Sequence, residues 1–280
     1  MKDEFVWIAV IMLLAIIGIF YTIKGGKPTV PTTTLKTTIS TENSNNSNTS
    51  TSATESSYKS NVSMYINGAG SSDFNQEYVS LSTYGDTPIN ITGWTLKSTL
   101  TSNRATIPQG VELYKENSQN TNGAIILKPG EQAILATGLS PIIYSFKINK
   151  CSGYLSENHY FSQYISQNCP MPEENDIPIS NLNDRDKCYD YFRYLPTCKT
   201  QSDNSFPKPD SYNPVGGICK NFIQQKLNYN ACLADYKNDK DFYKNEWRVY
   251  LGAHSALWRA NHDTVELRDS SGKLVATQSW

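Results

Sequence analysis

Cysteine is missing from the first 150 residues and from the last 48. All six lie between Cys151 and Cys232, and no two form a Cys-x-x-Cys pair. That spacing excludes a thioredoxin-like redox motif and the common zinc-ribbon arrangement. Histidine is scarce: His159, His254 and His262 are the only three, and none stands in His-Glu-x-x-His or another metal-ligating spacing. No Gly-x-Ser-x-Gly elbow is present, so the sequence offers no α/β-hydrolase nucleophile. There is no phosphate-cradling glycine loop either; Gly216-Gly217 reads as the lead-in to a helix. An excess of either charge is also lacking. The net charge of −1 gives the whole chain no attraction to nucleic acid or to an anionic bilayer. These absences point away from catalysis, and neither a cofactor nor a metal is expected.

One long apolar run is present. Phe5–Ile23 reads FVWIAVIMLLAIIGIFYTI, uncharged throughout. As a helix it spans about 28 Å, close to the ~30 Å hydrocarbon core of a bilayer. Trp7 and Tyr21 sit near its two ends, where amphipathic rings favour the interface. A cleaved signal peptide would need a basic start and a small-residue cleavage site. Here Lys2 is followed by Asp3 and Glu4, and FYTIKGGKP offers no such site. Residues 5–23 are therefore expected to be an uncleaved transmembrane helix, with residues 1–4 cytoplasmic.

After it comes a segment that no globular core would use. Thr, Ser and Asn fill 22 of the 32 positions from Thr29 to Ser60. So little apolar surface cannot offset the entropy of ordering, and residues 24–60 are expected to be a disordered stalk. A flexible coil of that length spans roughly 33 Å root-mean-square. Asn-x-Ser/Thr sequons at Asn45, Asn48, Asn61 and Asn90 are the kind a Ser/Asn-rich chain produces by chance. Lys24 and Lys27 outweigh Lys2 in the positive-inside count, which favours the opposite orientation. The stalk and the even number of clustered cysteines favour export. The expected location is the cell membrane, single-pass, with the C-terminal domain extracytoplasmic.

Six cysteines in an exported chain imply three disulfides, with fifteen connectivities to choose from. Two helices organise the expectation. Asn183–Leu195 is helix-compatible, with Asn183 or Asp184 able to cap it and Pro196 to stop it. Gly217–Asn228 is a second, with Phe222, Ile223, Lys226 and Leu227 largely on one side. If the two pack antiparallel, Cys198 meets Cys219 and Cys188 meets Cys232, leaving Cys151 for Cys169.

The flanks of this region read as β. EYVSLST alternates, with Val79, Leu81 and Thr83 against Tyr78, Ser80 and Ser82. INITGWTLKS, GVELY and GAIILKPGEQAILAT are short, β-prone and punctuated by turn residues, with Pro129-Gly130 a turn between two apolar runs. DTVELRDSSGKLVATQSW reads as a hairpin about Asp269–Gly272.

These residues resemble a known family. Glu77-Tyr-Val-Ser-Leu, Gly93-Trp94-Thr95-Leu96, Ile107-Pro108, Leu127-Lys-Pro129-Gly130 and Asp263-Thr-Val265-Glu-Leu267-Arg-Asp269, with Gly272 and Trp280, look like the lamin-tail domain. The match covers about Asn61–Gly138 and Asp263–Trp280. Leu227–Gly252 is similar to the Cys-bearing insertion of prokaryotic membrane-anchored lamin-tail proteins. The resemblance implies a mainly β, immunoglobulin-like sandwich over residues 61–280. It is interrupted at about 150–259 by a disulfide-stapled helical insertion whose ends must lie close together. Trp247, Val249 and Tyr250 are expected to form a strand returning to the sandwich.

The functional reading follows. The acidic groups at Asp184 and Asp186, and at Asp235, Asp239 and Asp241, read as solvated turns and helix N-terminal charges, and the second lacks the EF-hand order and its closing Glu. Aromatics crowd the insertion: Tyr154, Tyr160, Phe161, Tyr164, Tyr189, Tyr191, Phe192, Tyr194, Tyr229, Tyr236, Tyr243, Trp247 and Trp258. A small subdomain cannot bury them all, and an exposed set suits a protein or glycan partner. Tyr191, Tyr194, Tyr236, Tyr243 and Trp258 are the candidates for that surface. The chain is thus expected to be a membrane-anchored, extracytoplasmic binding or structural module without catalytic activity. The alternatives are a nucleic-acid-binding lamin-tail domain and an envelope hydrolase. Nucleic acid is disfavoured because Lys150–Trp247 carries 13 acidic against 11 basic residues.

Overall fold

Strand β2 (Tyr78–Thr83) shows how the sequence pattern becomes structure. Val79, Leu81 and Thr83 are buried while Tyr78, Ser80 and Ser82 are half-exposed, the period-2 signature of one covered sheet face. The same rule places Val265 and Leu267 of β10 (Thr264–Arg268) and Leu96 and Ser98 of β4 (Thr95–Ser98) inward. The computed structural model describes residues 55–206 and 216–280. The expected cytoplasmic residues 1–4, transmembrane helix 5–23 and most of the stalk lie outside them. Among the described residues no helix is long and apolar enough to cross a membrane.

The chain is mainly β. One sheet has the order β1-β2-β7-β9-β8, with β1 Val62–Asn67, β7 Gln132–Ala136, β8 Phe146–Asn149 and β9 Tyr243–Tyr250. A second has the order β11-β10-β4-β5, with β5 Arg104–Thr106 and β11 Leu274–Ser279. A small pair joins β3 (Ile89–Asn90) to β6 (Ile126–Leu127). Val79, Leu81, Leu135 and Val249 of the first sheet share one core with Leu96, Val265 and Leu267 of the second, and Trp94 fills it. Fully burying each such side chain contributes about 1.5–3 kcal/mol. The described fold starts earlier than the expected boundary at residue 61. Glu55 bridges Leu274, and the Ser56 amide donates to the Leu274 carbonyl at 2.8 Å.

Turn chemistry shapes the chain reversals. The Glu131 amide donates to the Lys128 carbonyl (2.9 Å) around Pro129-Gly130, with Gly130 at φ +75°. The strands on either side do not pair with each other: β6 joins β3, while β7 joins β2 and β9. The Asp269–Gly272 hairpin forms as its residues dictate. The Gly272 amide donates to Asp269 (2.8 Å), and the Asp269 carboxylate accepts from the amides of Ser271 and Lys273. GVELY departs from the expected strand and makes only isolated bridges, Gly110 to Gly123 and Val111 to Phe146. Gly110 is pressed there against Ile125, the Ser145 carbonyl and Trp247, each 3.1 Å from where a Cβ would stand.

The insertion leaves and rejoins the sheet at one place. Its ends are β8 and β9, antiparallel neighbours with Asn149 opposite Tyr243. The Lys150 amide donates to the Phe242 carbonyl (2.9 Å), and the Lys150 ammonium holds Asp239 (2.7 Å) and Asp241 (2.6 Å). Strand β9 carries Trp247, Val249 and Tyr250, as expected, and lies parallel to β7.

Among the described residues of the insertion there are three α-helices: α1 Leu182–Phe192, α2 Gly217–Lys226 and α3 Tyr229–Tyr236. Asn181, not Asn183 or Asp184, caps α1 by accepting from the Asp184 amide (3.1 Å). The second helix stops at Lys226, and Asn228 caps a third by accepting from the Ala231 amide (2.9 Å). Cys232 therefore sits on its own helix.

That extra helix overturns the nested disulfide map. The observed pairs are Cys151–Cys232, Cys169–Cys198 and Cys188–Cys219, with Cα separations of 5.8, 5.1 and 5.7 Å. Because α3 packs beside the 3-10 turn Ser152–Glu157, Cys232 reaches Cys151 instead of α1. Cys188 is then free for Cys219 across α1 and α2. Cys198, past the end of α1 at φ +56°, turns back to Cys169. Two small cores result. One lies beside β8 around Phe146, Cys151, Tyr154 and Cys232; the other joins α1 and α2 through Phe192, Phe222 and Ile223.

Candidate binding surface

The five aromatics expected to face a partner do not form one surface. Trp258 is buried in the sandwich core. Tyr236 and Tyr243 pack against the core beside β8, and the Tyr236 hydroxyl donates to the Met171 carbonyl (3.3 Å). Tyr191 stacks on Phe206 with ring centres 6.1 Å apart. Tyr194 alone stands clear, 75% exposed, with Arg193 bonded to its hydroxyl (2.7 Å).

A different set of residues makes a continuous exposed surface. It is centred on the loop between β7 and β8, where Leu139 is 58% and Ile143 89% exposed. Ser140 shapes this loop. Its carbonyl accepts from the Ile143 amide (3.2 Å), and its hydroxyl donates to the Tyr144 carbonyl (2.7 Å). Ile142 is buried in the core beside β8, while Ile143 points outward at φ +72°. A β-branched residue in that backbone region costs on the order of 1–3 kcal/mol, strain of a kind that concentrates at working sites.

Two shallow clefts flank the loop and share Leu139 and Tyr250. One, of about 190 Å³, is floored by Asn75, Ala136 and Gly138 and walled by Tyr160 and Gln163. The other, of about 380 Å³, is bounded by Gln109, Asn122, Ile143 and Tyr144. Tyr160 continues into a third, of about 560 Å³, beside Tyr164. Tyr160 and Tyr164 are 76% and 72% exposed.

The first cleft is a seam. Asn75 belongs to the sandwich and Gln163 to the insertion, and the Gln163 amide donates to the Asn75 carbonyl at 2.8 Å. Arg248 on β9 reaches the Tyr164 carbonyl at 2.6 Å. Gly138 lets the Asn75 side chain lie close against the loop, and a Cβ there would require Asn75 Oδ1 to move. Burial raises the Tyr250 phenol above its usual range, so it stays neutral and able to donate at ordinary pH.

A separate cleft of about 430 Å³ lies between Gly110, Gly123, Ile126 and Trp247. The Lys147–Glu131 ion pair (2.7 Å) is buried at its edge, with the ammonium 5.4 Å from the Tyr243 ring and 5.8 Å from the Trp247 ring. Removing one member of such a pair typically costs about 3–5 kcal/mol, because the other is left buried and uncompensated. The pair ties the turn that leads into β7 to β8, across β9.

The acidic group at Asp235, Asp239 and Asp241 is engaged with cations of the chain. Asp235 meets Lys226 (2.8 Å), while Asp239 and Asp241 meet Lys150. The bond from Lys150 holds the Asp241 carboxyl below its ordinary range, and the bonds to Asp239 first and Asp241 second raise the Lys150 ammonium. Among the described residues no group of three His, Cys, Asp or Glu side chains is placed to hold a metal ion.

The groove residues escaped sequence reading because they come from positions 75, 139–144, 160–163 and 250, which nothing in the linear pattern joins. One signal was present: LSPIIY sets two isoleucines and a leucine in a Ser/Pro loop, where no strand alternation demands them. No protein-family model matches the chain, and no curated protein matches it.

Proposed function

We propose that this chain is a membrane-anchored, extracytoplasmic binding or structural module of the cell envelope, without catalytic activity. Its domain would be an immunoglobulin-like sandwich of lamin-tail type carrying a helical, disulfide-bearing insertion. The observation that carries the reading is the exposed surface of Leu139, Ile143, Tyr160 and Tyr164. Contiguous apolar and tyrosine surface of this kind is the usual mark of a recognition site.

Two further features support it. All six cysteines are joined in disulfides, the state that oxidising compartments maintain. The residues behind the lamin-tail resemblance also work together. Gly93 takes φ +81° before the buried Trp94. Asp263 accepts from the Ser98 hydroxyl (2.8 Å) and from the amides of Arg259 (3.0 Å) and Thr264 (2.7 Å). The Trp280 indole donates to the Arg259 carbonyl (3.1 Å), closing the end of the sandwich.

Pull-down with the full chain in detergent against envelope fractions, with free DNA as competitor, tests the reading. Retention that survives DNA is expected. Retention abolished by DNA alone would move the assignment to nucleic-acid binding.

A further inference from the structure

We propose that the groove along the Leu139–Tyr144 loop takes a neutral glycan strand; this rests on the binding-module reading and names its ligand class. None of the residues lining the two clefts beside the loop is charged. Their polar groups are the amides of Asn75, Gln109, Asn122 and Gln163 together with serine and tyrosine hydroxyls. Sugar hydroxyls both donate and accept hydrogen bonds. Amide and hydroxyl side chains do both as well, whereas an ammonium or a carboxylate does one only.

The apolar part of the surface fits the same ligand. Tyr160 offers an exposed ring with a polar tip, Leu139 is a wall that both clefts share, and Ile143 stands exposed at the edge of the second, apolar surface suited to the C–H faces of pyranose rings. The shape is two adjoining shallow concavities that share the Leu139 wall, which suits neighbouring units of a linear chain. A protein partner would be expected to seat an anchor residue in one deep apolar pocket. A nucleic-acid strand or a polyuronate would require cations that the groove does not present.

The test is affinity electrophoresis of the full chain in non-denaturing detergent, through gels containing mannan, a soluble β-glucan, xylan or polygalacturonate. Retardation by at least one neutral polysaccharide is expected. Affinity should fall about tenfold or more for Tyr160→Ala and be unchanged for Tyr194→Ala, an equally exposed tyrosine outside the groove. No retardation by any neutral polysaccharide, retardation by polygalacturonate alone, or equal losses in the two variants would overturn the proposal. If envelope pull-down succeeds while every neutral polysaccharide fails, the glycan assignment falls and the binding-module reading stands. Loss of envelope binding in the unmodified chain removes the reading itself.

Discussion

The sandwich and the insertion solve the same problem with different means. The sandwich buries Trp94, Leu81, Leu96, Val265 and their neighbours in one continuous core and contains no disulfide. The insertion splits its apolar residues between two small clusters and carries all three cross-links. A small core cannot offset the entropy of ordering its chain, so covalent closure has to supply the difference. The sheet region depends on packing, and the insertion on restricting its unfolded state.

The largest test of that contrast strikes the shared core. Trp94→Ala should cost about 3–5 kcal/mol. Because β9 is a strand of the sandwich, the insertion should lose its footing in the same transition. A single cooperative loss of near-ultraviolet signal on denaturant unfolding is the expected observation. Two separated transitions, with the insertion outlasting the sheets, would break the comparison.

The next test is confined to the insertion. Replacing both Cys188 and Cys219 with serine should destabilise the α1–α2 cluster by about 2–4 kcal/mol. Amide hydrogen exchange should accelerate in residues 182–192 and 217–226, while β2, β4 and β10 keep their protection. Faster exchange in β4 and β10 would mean that the sandwich depends on the insertion as much as the insertion depends on it.

The smallest effect comes from the joint between β2 and the 253–263 loop. Glu77 is buried, and its carboxylate accepts from Thr137 Oγ1 (2.7 Å) and from the amides of Leu257 (2.8 Å) and Trp258 (3.4 Å). Burial nevertheless raises its carboxyl above the ordinary value, with the nearby Asp263 adding to the rise. The folded state therefore holds this proton more tightly than the unfolded chain. Its contribution is complete below the ordinary glutamate range and is lost as pH rises through the raised value. Thermal unfolding of Glu77→Gln from pH 4 to 7 should show a flatter decline than the unmodified protein. An unchanged slope would remove Glu77 from the pH response.

What could be read in advance follows local chemistry. The strands at Tyr78–Thr83 and Thr264–Arg268, the turn at Pro129-Gly130 and the hairpin at Asp269–Gly272 all rest on residues within a few positions of one another. The close approach of the insertion's ends was required by the sheet and is met by Asn149 and Tyr243. The disulfide map failed on one local ambiguity. Asn228 is a plausible end for α2, yet it caps α3, and that single assignment reassigns all three pairs. Some of the candidate partner aromatics are covered for a non-local reason. A tyrosine count says nothing about which rings are covered, and Trp258 and Tyr243 are covered by elements distant in sequence.

The narrow neck at Asn149 and Tyr243 has a consequence for how such a chain can change over generations. Everything from residue 150 to 242 hangs from two adjacent, hydrogen-bonded strands. Chain closure becomes costlier only with the logarithm of loop length. Growing a six-residue connection to this size adds about 2 kcal/mol. Lengthening or recasting the cassette is therefore cheap for the scaffold, while Gln163 near its entrance is held to the scaffold's own Asn75. Variation is free at the far end and constrained at the threshold.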